Sequence, residues 1–210
     1  MKGTRILMKY SCLSSSKSGR EQFLSECAVN DEELANINTA YKFAKYAHKN
    51  QCRDGGGRYF EHPRAVARII MHELGLKDNW KLIVTALLHD TLEDSFLLDK
   101  RLLQTIFGEE VALWIELLTK EDGIDYFARF FEYNIWEVLV AKLADRLHNV
   151  RTLHECDIRK QEKCREETRR LYIPLAEKLA SIIPQEHVAL AHYLKSELKR
   201  RVNQESGVPQ

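Results

Sequence analysis

Apolar positions recur every three to four residues from Asn30 onward, first as Leu34, Ile37, Tyr41, Ala44 and Ala47. With Asn30 or Asp31 as a cap, this spacing predicts a helix ending near Asn50. The stretch Arg53-Asp54-Gly55-Gly56-Gly57-Arg58 breaks the pattern as a loop, and the His62-Pro63 step opens a second helix that stops before Gly75. Asp78 or Asn79 caps a third helix, apolar through Leu88. The same period predicts helices at roughly 99–107, 109–119, 125–134, 136–154, 159–182 and 185–201, broken by Phe107-Gly108, Asp122-Gly123 and Pro184. The expected fold is all-α, one helical domain over 30–202. A basic N-terminal extension over 1–29 is read as mobile and a tail over 203–210 as frayed.

Composition agrees with this and narrows the function. Nine Gly and four Pro in 210 residues are too few for a loop-rich all-β chain, and 44% hydrophobic residues suffice for a sizeable core. Thirty-two basic against 31 acidic side chains leave a net charge of +1, which argues against nucleic-acid or membrane partners. Any anionic ligand must be held locally. Five cysteines without a Cys-x-x-Cys pair fit neither a disulfide scaffold nor a structural zinc site, and point to a reducing cytoplasm. The longest apolar run, Leu82 to Leu88, is far short of the roughly 18–20 residues of a membrane span.

The chemistry is concentrated where the third helix turns from apolar to His89-Asp90-Thr91-Leu92-Glu93-Asp94. This stretch is read as helix, on which residues three and four apart share a face, so Asp90 lies beside Glu93 and Asp94, and His89 beside Glu93. Carboxylates this close repel unless a cation neutralises them, and a metal is the simplest cation. A second polar stripe, Lys142, Asp145 and Asn149, runs opposite the apolar face Leu139, Leu143, Leu147 and Val150. An acid in such a helix needs a partner. With His62 at the start of the second helix, the candidate ligands are His62, His89, Asp90 and Asp145. Two imidazoles with two carboxylates suit manganese, iron(II) or magnesium better than a thiolate-rich zinc site, with zinc not excluded. Such an ion acidifies bound water, which implies hydrolysis, with Glu93 or Asp94 acting on that water. His48, His72, His154, His187 and His192 are read as surface or packing residues, and so is His148, with support of the site as its alternative. The basic run from Arg159 to Arg170 alternates with Glu162, Glu166 and Glu167 and reads as an exposed helix face. Phe130-Phe131 leaves open a cover for a pocket or a contact between two copies.

His62, then His89-Asp90, then Asp145 resembles the HD phosphohydrolase superfamily. The stretches Tyr59-Phe60-Glu61-His62-Pro63, Leu87 to Asp94, Phe107-Gly108-Glu109-Glu110-Val111, Lys142 to Leu153 and Tyr172-Ile173-Pro174-Leu175-Ala176 narrow it to the hydrolase domain of the RelA/SpoT alarmone enzymes. The resemblance implies an all-helical bundle with one divalent ion, usually manganese, that removes the 3′-pyrophosphate of guanosine tetra- or pentaphosphate. On this likeness His62, His89, Asp90 and Asp145 match the metal ligands and Glu93 and Asp94 the acidic pair. Arg53 matches the arginine against the guanine, and Asn149 and Thr152 match positions lining the nucleoside pocket. With Gln210 ending the chain, a stand-alone hydrolase with no synthetase domain is the expectation. The family usually carries a lysine after the loop arginine, where this chain has Asp54; Arg58 is read as restoring that charge. This departure keeps two alternatives open: a phosphohydrolase of another nucleotide, such as a nucleoside monophosphate or an NADPH 2′-phosphate, or a non-catalytic nucleotide sensor.

Overall fold

The computed structural model describes residues 19–94, 98–120 and 125–203. The expectations for residues 1–18, for a break at Asp122-Gly123 and for fraying after Asn203 lie outside the described residues. The chain is helical: α1 Gly19–Ser25, α2 Asp31–Ala47, α3 Glu61–Arg68, α4 Trp80–Leu88, α5 Thr91–Asp94, α6 Lys100–Phe107, α7 Glu109–Leu118, α8 Ala128–Tyr133, α9 Trp136–Arg151, α10 Ile158–Glu167, α11 Ile173–Ile182 and α12 Val188–Asn203. Among the described residues the one extended pairing is a bridge between Cys52 and Arg58, which closes the Gly-rich loop.

Local signals act as their chemistry dictates. Asn30 and Glu33 form a reciprocal capping box on α2, and Asn79, Asp99 and Asp157 accept from the first turns of α4, α6 and α10. Gly108 takes φ +88° between α6 and α7, a backbone angle that side chains disfavour. Two five-residue π-helical segments, Ile69–Glu73 and Thr168–Tyr172, continue α3 and join α10 to α11. No described helix is long and apolar enough to cross a membrane.

Helices α4 and α9 form the centre. Helix α4 packs on α2, α3, α7 and α9, and α9 packs on α3, α4, α7, α11 and α12. Leu82, Ile83, Val84, Ala86, Leu87 and Leu88 of α4 are fully buried, each large side chain contributing roughly 1.5–3 kcal/mol. The two helices that carry the polar switch and the polar stripe are therefore the rigid middle of the molecule.

Part of the expected extension belongs to this body. Phe23 of α1 is fully buried with its ring 5.3 Å from Tyr41, and Glu26 receives two hydrogen bonds from Arg68, at 3.1 and 2.8 Å. The backbone of Ala28 donates to Lys77 at 2.9 Å. Residues 19–29 thus pack against α2 and α3.

Candidate active site

Helix α4 ends at Leu88, and His89 and Asp90 form a turn before the short α5. The continuous helix expected through Asp94 is therefore interrupted at the reactive pair. His89 Nδ1 lies 2.9 Å from the Ala86 carbonyl and donates to it, so that in the neutral ring Nε2 carries the lone pair. That Nε2 is buried without a hydrogen-bond partner. It sits 3.2 Å from Asp90 Oδ2 and 3.9 Å from Asp145 Oδ1 without the alignment of a hydrogen bond.

The structure brings the four candidate ligands together. Ligand atoms of His62, His89 and Asp90 all lie within 4.8 Å of one another. Asp145 borders them, its Oδ1 3.2 Å from His62 Nε2. His62 is supplied by the first turn of α3, Asp145 by the middle of α9, and Tyr59 donates to Asp90 Oδ2 at 2.7 Å. A buried imidazole nitrogen without a hydrogen-bond partner, facing the buried Asp145 and the half-buried Asp90, fits a divalent cation. These residues could hold one with a two-nitrogen, two-oxygen donor set.

Burial and neighbouring charge pull these groups in opposite directions. Burial works against charge on His89, but Asp90 and Asp145 outweigh it and push the imidazole up to about 9. Burial holds the His62 imidazole below its ordinary range. Asp145 is held well below the usual carboxylate range although burial opposes this, because the buried Lys142 ammonium donates to its Oδ2 at 3.0 Å. Asn149 donates to the other oxygen at 2.6 Å. The partner that an acid in this helix requires is thus Lys142, one turn away on the same stripe.

A cavity of about 560 Å³ opens above the cluster and includes Tyr59, His62, Asp90 and Asp145 in its lining. Its lining also carries Arg53, whose guanidinium donates to Asn149 at 2.9 Å and to Thr152 Oγ1 at 3.4 Å. The three expected nucleoside contacts, 96 and 99 residues apart in sequence, therefore meet. Glu93 lines the cavity, and its Oε1 accepts from the Lys120 backbone at 2.6 Å. Asp94 closes α5, and its side chain lies outside the described residues. Arg58 is a correction: it is 70% exposed, pairs with Glu61 at 2.9 Å, and does not line the cavity. A neighbouring acid three residues on draws it outward, so it does not restore charge at the site.

His148, read from sequence as a surface residue, is the second correction. Its Nδ1 lies 2.9 Å from His62 Nδ1, and burial together with His62 and Arg53 lowers its pKa to about 3. A neutral His148 can accept from His62 Nδ1–H, which leaves His62 Nε2 free to bind a cation. Replacing His148 by Leu is expected to weaken Mn²⁺ binding about 10–100-fold by calorimetry, whereas Asn, which keeps an acceptor, restores most of it. Equal losses in both variants would contradict this tautomer. Tyr59 was also missed; its spacing of three from His62 was the available signal.

The geometry has clear relatives. A family model described as "HD domain" matches residues 40–133 and 136–182. The guanosine-3′,5′-bis(diphosphate) 3′-pyrophosphohydrolase of Aquifex aeolicus is 38% identical over 169 residues, covering 76% of this chain and 23% of that protein. The bifunctional (p)ppGpp synthase/hydrolase SpoT of Escherichia coli is 30% identical over 188 residues, 84% of this chain and 25% of that one. A GTP pyrophosphokinase of Streptomyces coelicolor is 36% identical over 162 residues, 72% and 18%. The chain thus spans between 18% and 25% of these relatives. A solved structure, described as a metazoan ortholog of SpoT that hydrolyzes ppGpp and plays a role in starvation responses, superposes with a TM-score of 0.60 at 20% identity. That match covers 80% of this chain and 96% of that one, and it shows the same all-helical fold. With the matched model running from within α2 to the end of α11 and containing the His-Asp turn, the chain belongs to the HD domain family.

Proposed function

We propose that this chain hydrolyses the 3′-pyrophosphate of guanosine tetra- and pentaphosphate, releasing pyrophosphate and GDP or GTP. The observation that carries the reading is the buried His89 Nε2 facing His62, Asp90 and Asp145 beside a cavity whose lining also includes Arg53 and Asn149. The names of the A. aeolicus and E. coli relatives support the same activity.

In this reading His62, His89, Asp90 and Asp145 hold one divalent ion, for which manganese suits the mixed donor set and iron(II), magnesium or zinc are substitutes. When bound, the ion acidifies water and offsets charge on the phosphoryl oxygens. The chain's own residues do the rest. Arg53 presents a planar cation for a purine to stack on, held in place by Asn149 and Thr152. Asn149 also ties that wall to Asp145, so the base and the reacting phosphorus are registered by one side chain. Glu93, with Asp94 as its neighbour, is the carboxylate that orients water or takes its proton. The cavity is of the size that ordinarily holds a nucleotide-sized ligand. The free thiols Cys27, Cys52, Cys156 and Cys164 suit a reducing, cytoplasmic setting.

The test is purified protein with Mn²⁺ against guanosine tetraphosphate, GTP, GMP, dNTPs and NADPH, with pyrophosphate and orthophosphate measured separately. Pyrophosphate with GDP, from the tetraphosphate alone, is the expected result. Orthophosphate from another nucleotide would replace the substrate and keep the site, and silence throughout would favour a sensor.

A further inference from the structure

Asp54 stands where a cation would suit a polyphosphate, yet its charge is already met. Lys160 of α10 pairs with Asp54 Oδ2, and the Cys156 thiol donates to the same oxygen at 3.0 Å. Three consecutive loop residues reach this segment: Arg53 touches Asn149 and Thr152, Asp54 touches Cys156 and Lys160, and Gly55 packs on Glu155. A Cβ on Gly55 would lie 2.7 Å from Glu155 Oε2, so glycine permits the approach. The loop and the N-terminal part of α10 therefore form one rim of the cavity, next to Arg53.

A guanosine with diphosphates on both the 3′ and 5′ oxygens brings two anionic groups. One belongs at the His-Asp cluster, and the other needs its own cation. Of the other lining cations, Lys142 and Arg146 are committed to Asp145 and Glu167, Lys163 lies 4.0 Å from the same Glu167, and Lys120, whose backbone donates to Glu93, sits on the Glu93 side and not at the loop rim. The Asp54–Lys160 pair is different, because both side chains are about half exposed, 45% and 58%. Such pairs contribute little and exchange readily. A phosphate offers Lys160 more charge and more acceptor oxygens than one carboxylate.

We propose that Lys160 is a specificity-determining residue that binds the 5′-phosphates of the nucleotide, with Asp54 as the anion that holds its ammonium at the rim until they arrive. The cation is thereby delivered from α10 and not from the loop. This rests on the nucleotide reading above, and it separates two variants that break the same ion pair. Lys160→Ala should raise KM for guanosine tetraphosphate about tenfold with kcat little changed, and leave guanosine 3′-diphosphate, which lacks 5′-phosphates, unaffected. Asp54→Asn should lower KM for the tetraphosphate several-fold, because a competing anion is gone. If the pair merely braces the loop, both variants raise KM, and for both substrates alike; that result would overturn the proposal. Calorimetric binding of GDP and guanosine needs no turnover and keeps the two readings apart. A chain inert toward the tetraphosphate whose GDP affinity still depends on Lys160 would remove the hydrolase reading alone. GDP affinity unchanged in Lys160→Ala would remove this one.

Discussion

Asp145→Asn is expected to abolish turnover and to destabilise the fold together, because this carboxylate serves both. As a candidate ligand beside His62 it is needed for the cation, and its loss should reduce kcat/KM by roughly 10³-fold, about 4 kcal/mol of lost transition-state stabilisation. As the partner of Lys142 it neutralises an ammonium that is only 6% exposed. Removing one member of a buried pair strands the other, at a cost of about 3–5 kcal/mol. The Tyr126 ring, 5.2 Å from the Lys142 nitrogen, remains as a favourable contact and replaces little of that charge. The two effects separate in the double variant Lys142→Met with Asp145→Asn. There no ammonium is left unmatched, so thermal stability should recover most of the loss while activity stays absent. Recovery of activity along with stability would mean that Asp145 acts through the fold alone.

Removal of divalent ions is expected to have the second large effect. EDTA-treated protein should be inactive and regain activity with Mn²⁺. Because the buried donors converge only in the folded chain, Mn²⁺ at about 100 times its Kd should stabilise the fold by about 2.7 kcal/mol, or roughly 5–10 °C in Tm. A His89→Ala variant should show no such rise. The response should also depend on pH. His89 is pushed up to about 9 in the ion-free protein, above its ordinary 6.5. Its protonated form therefore contributes stability that is fully present below about pH 6.5 and lost as pH rises through 9. The ion needs the deprotonated form, so the ion-induced rise in Tm should grow over the same interval. A rise that shrinks with pH would remove His89 from the binding set.

Most of the residues gathered in the candidate site were legible because they sit on long, strongly patterned helices. The switch at His89 interrupts a run that is otherwise buried from Leu82, and the Lys142-Asp145-Asn149 stripe follows a helical period that α9 keeps. What the sequence hid depends on contacts between distant segments. The helix was read through to Asp94, yet the chain turns at His89 so that its ring can donate to Ala86 and point Nε2 into the cluster. His148 looked like a surface residue because α3, which supplies His62, covers it from outside its own helix. Arg58 was assigned to the site on charge alone, and Glu61 settles its direction. The pairing of Asp54 with Lys160 spans 106 residues and left no local trace. Phe23 likewise could not be placed in the core until Tyr41 was seen across from it.

In the proposed reaction water attacks the phosphorus attached to the 3′ oxygen, the P–O3′ bond breaks, and O3′ leaves with a proton. Hydrolysis of guanosine tetraphosphate in H₂¹⁸O with Mn²⁺, followed by mass spectrometry of both products, tests it directly. The expected result is one ¹⁸O in pyrophosphate and none in GDP. Label in the 3′-hydroxyl of GDP, or labelled orthophosphate in place of pyrophosphate, would contradict it.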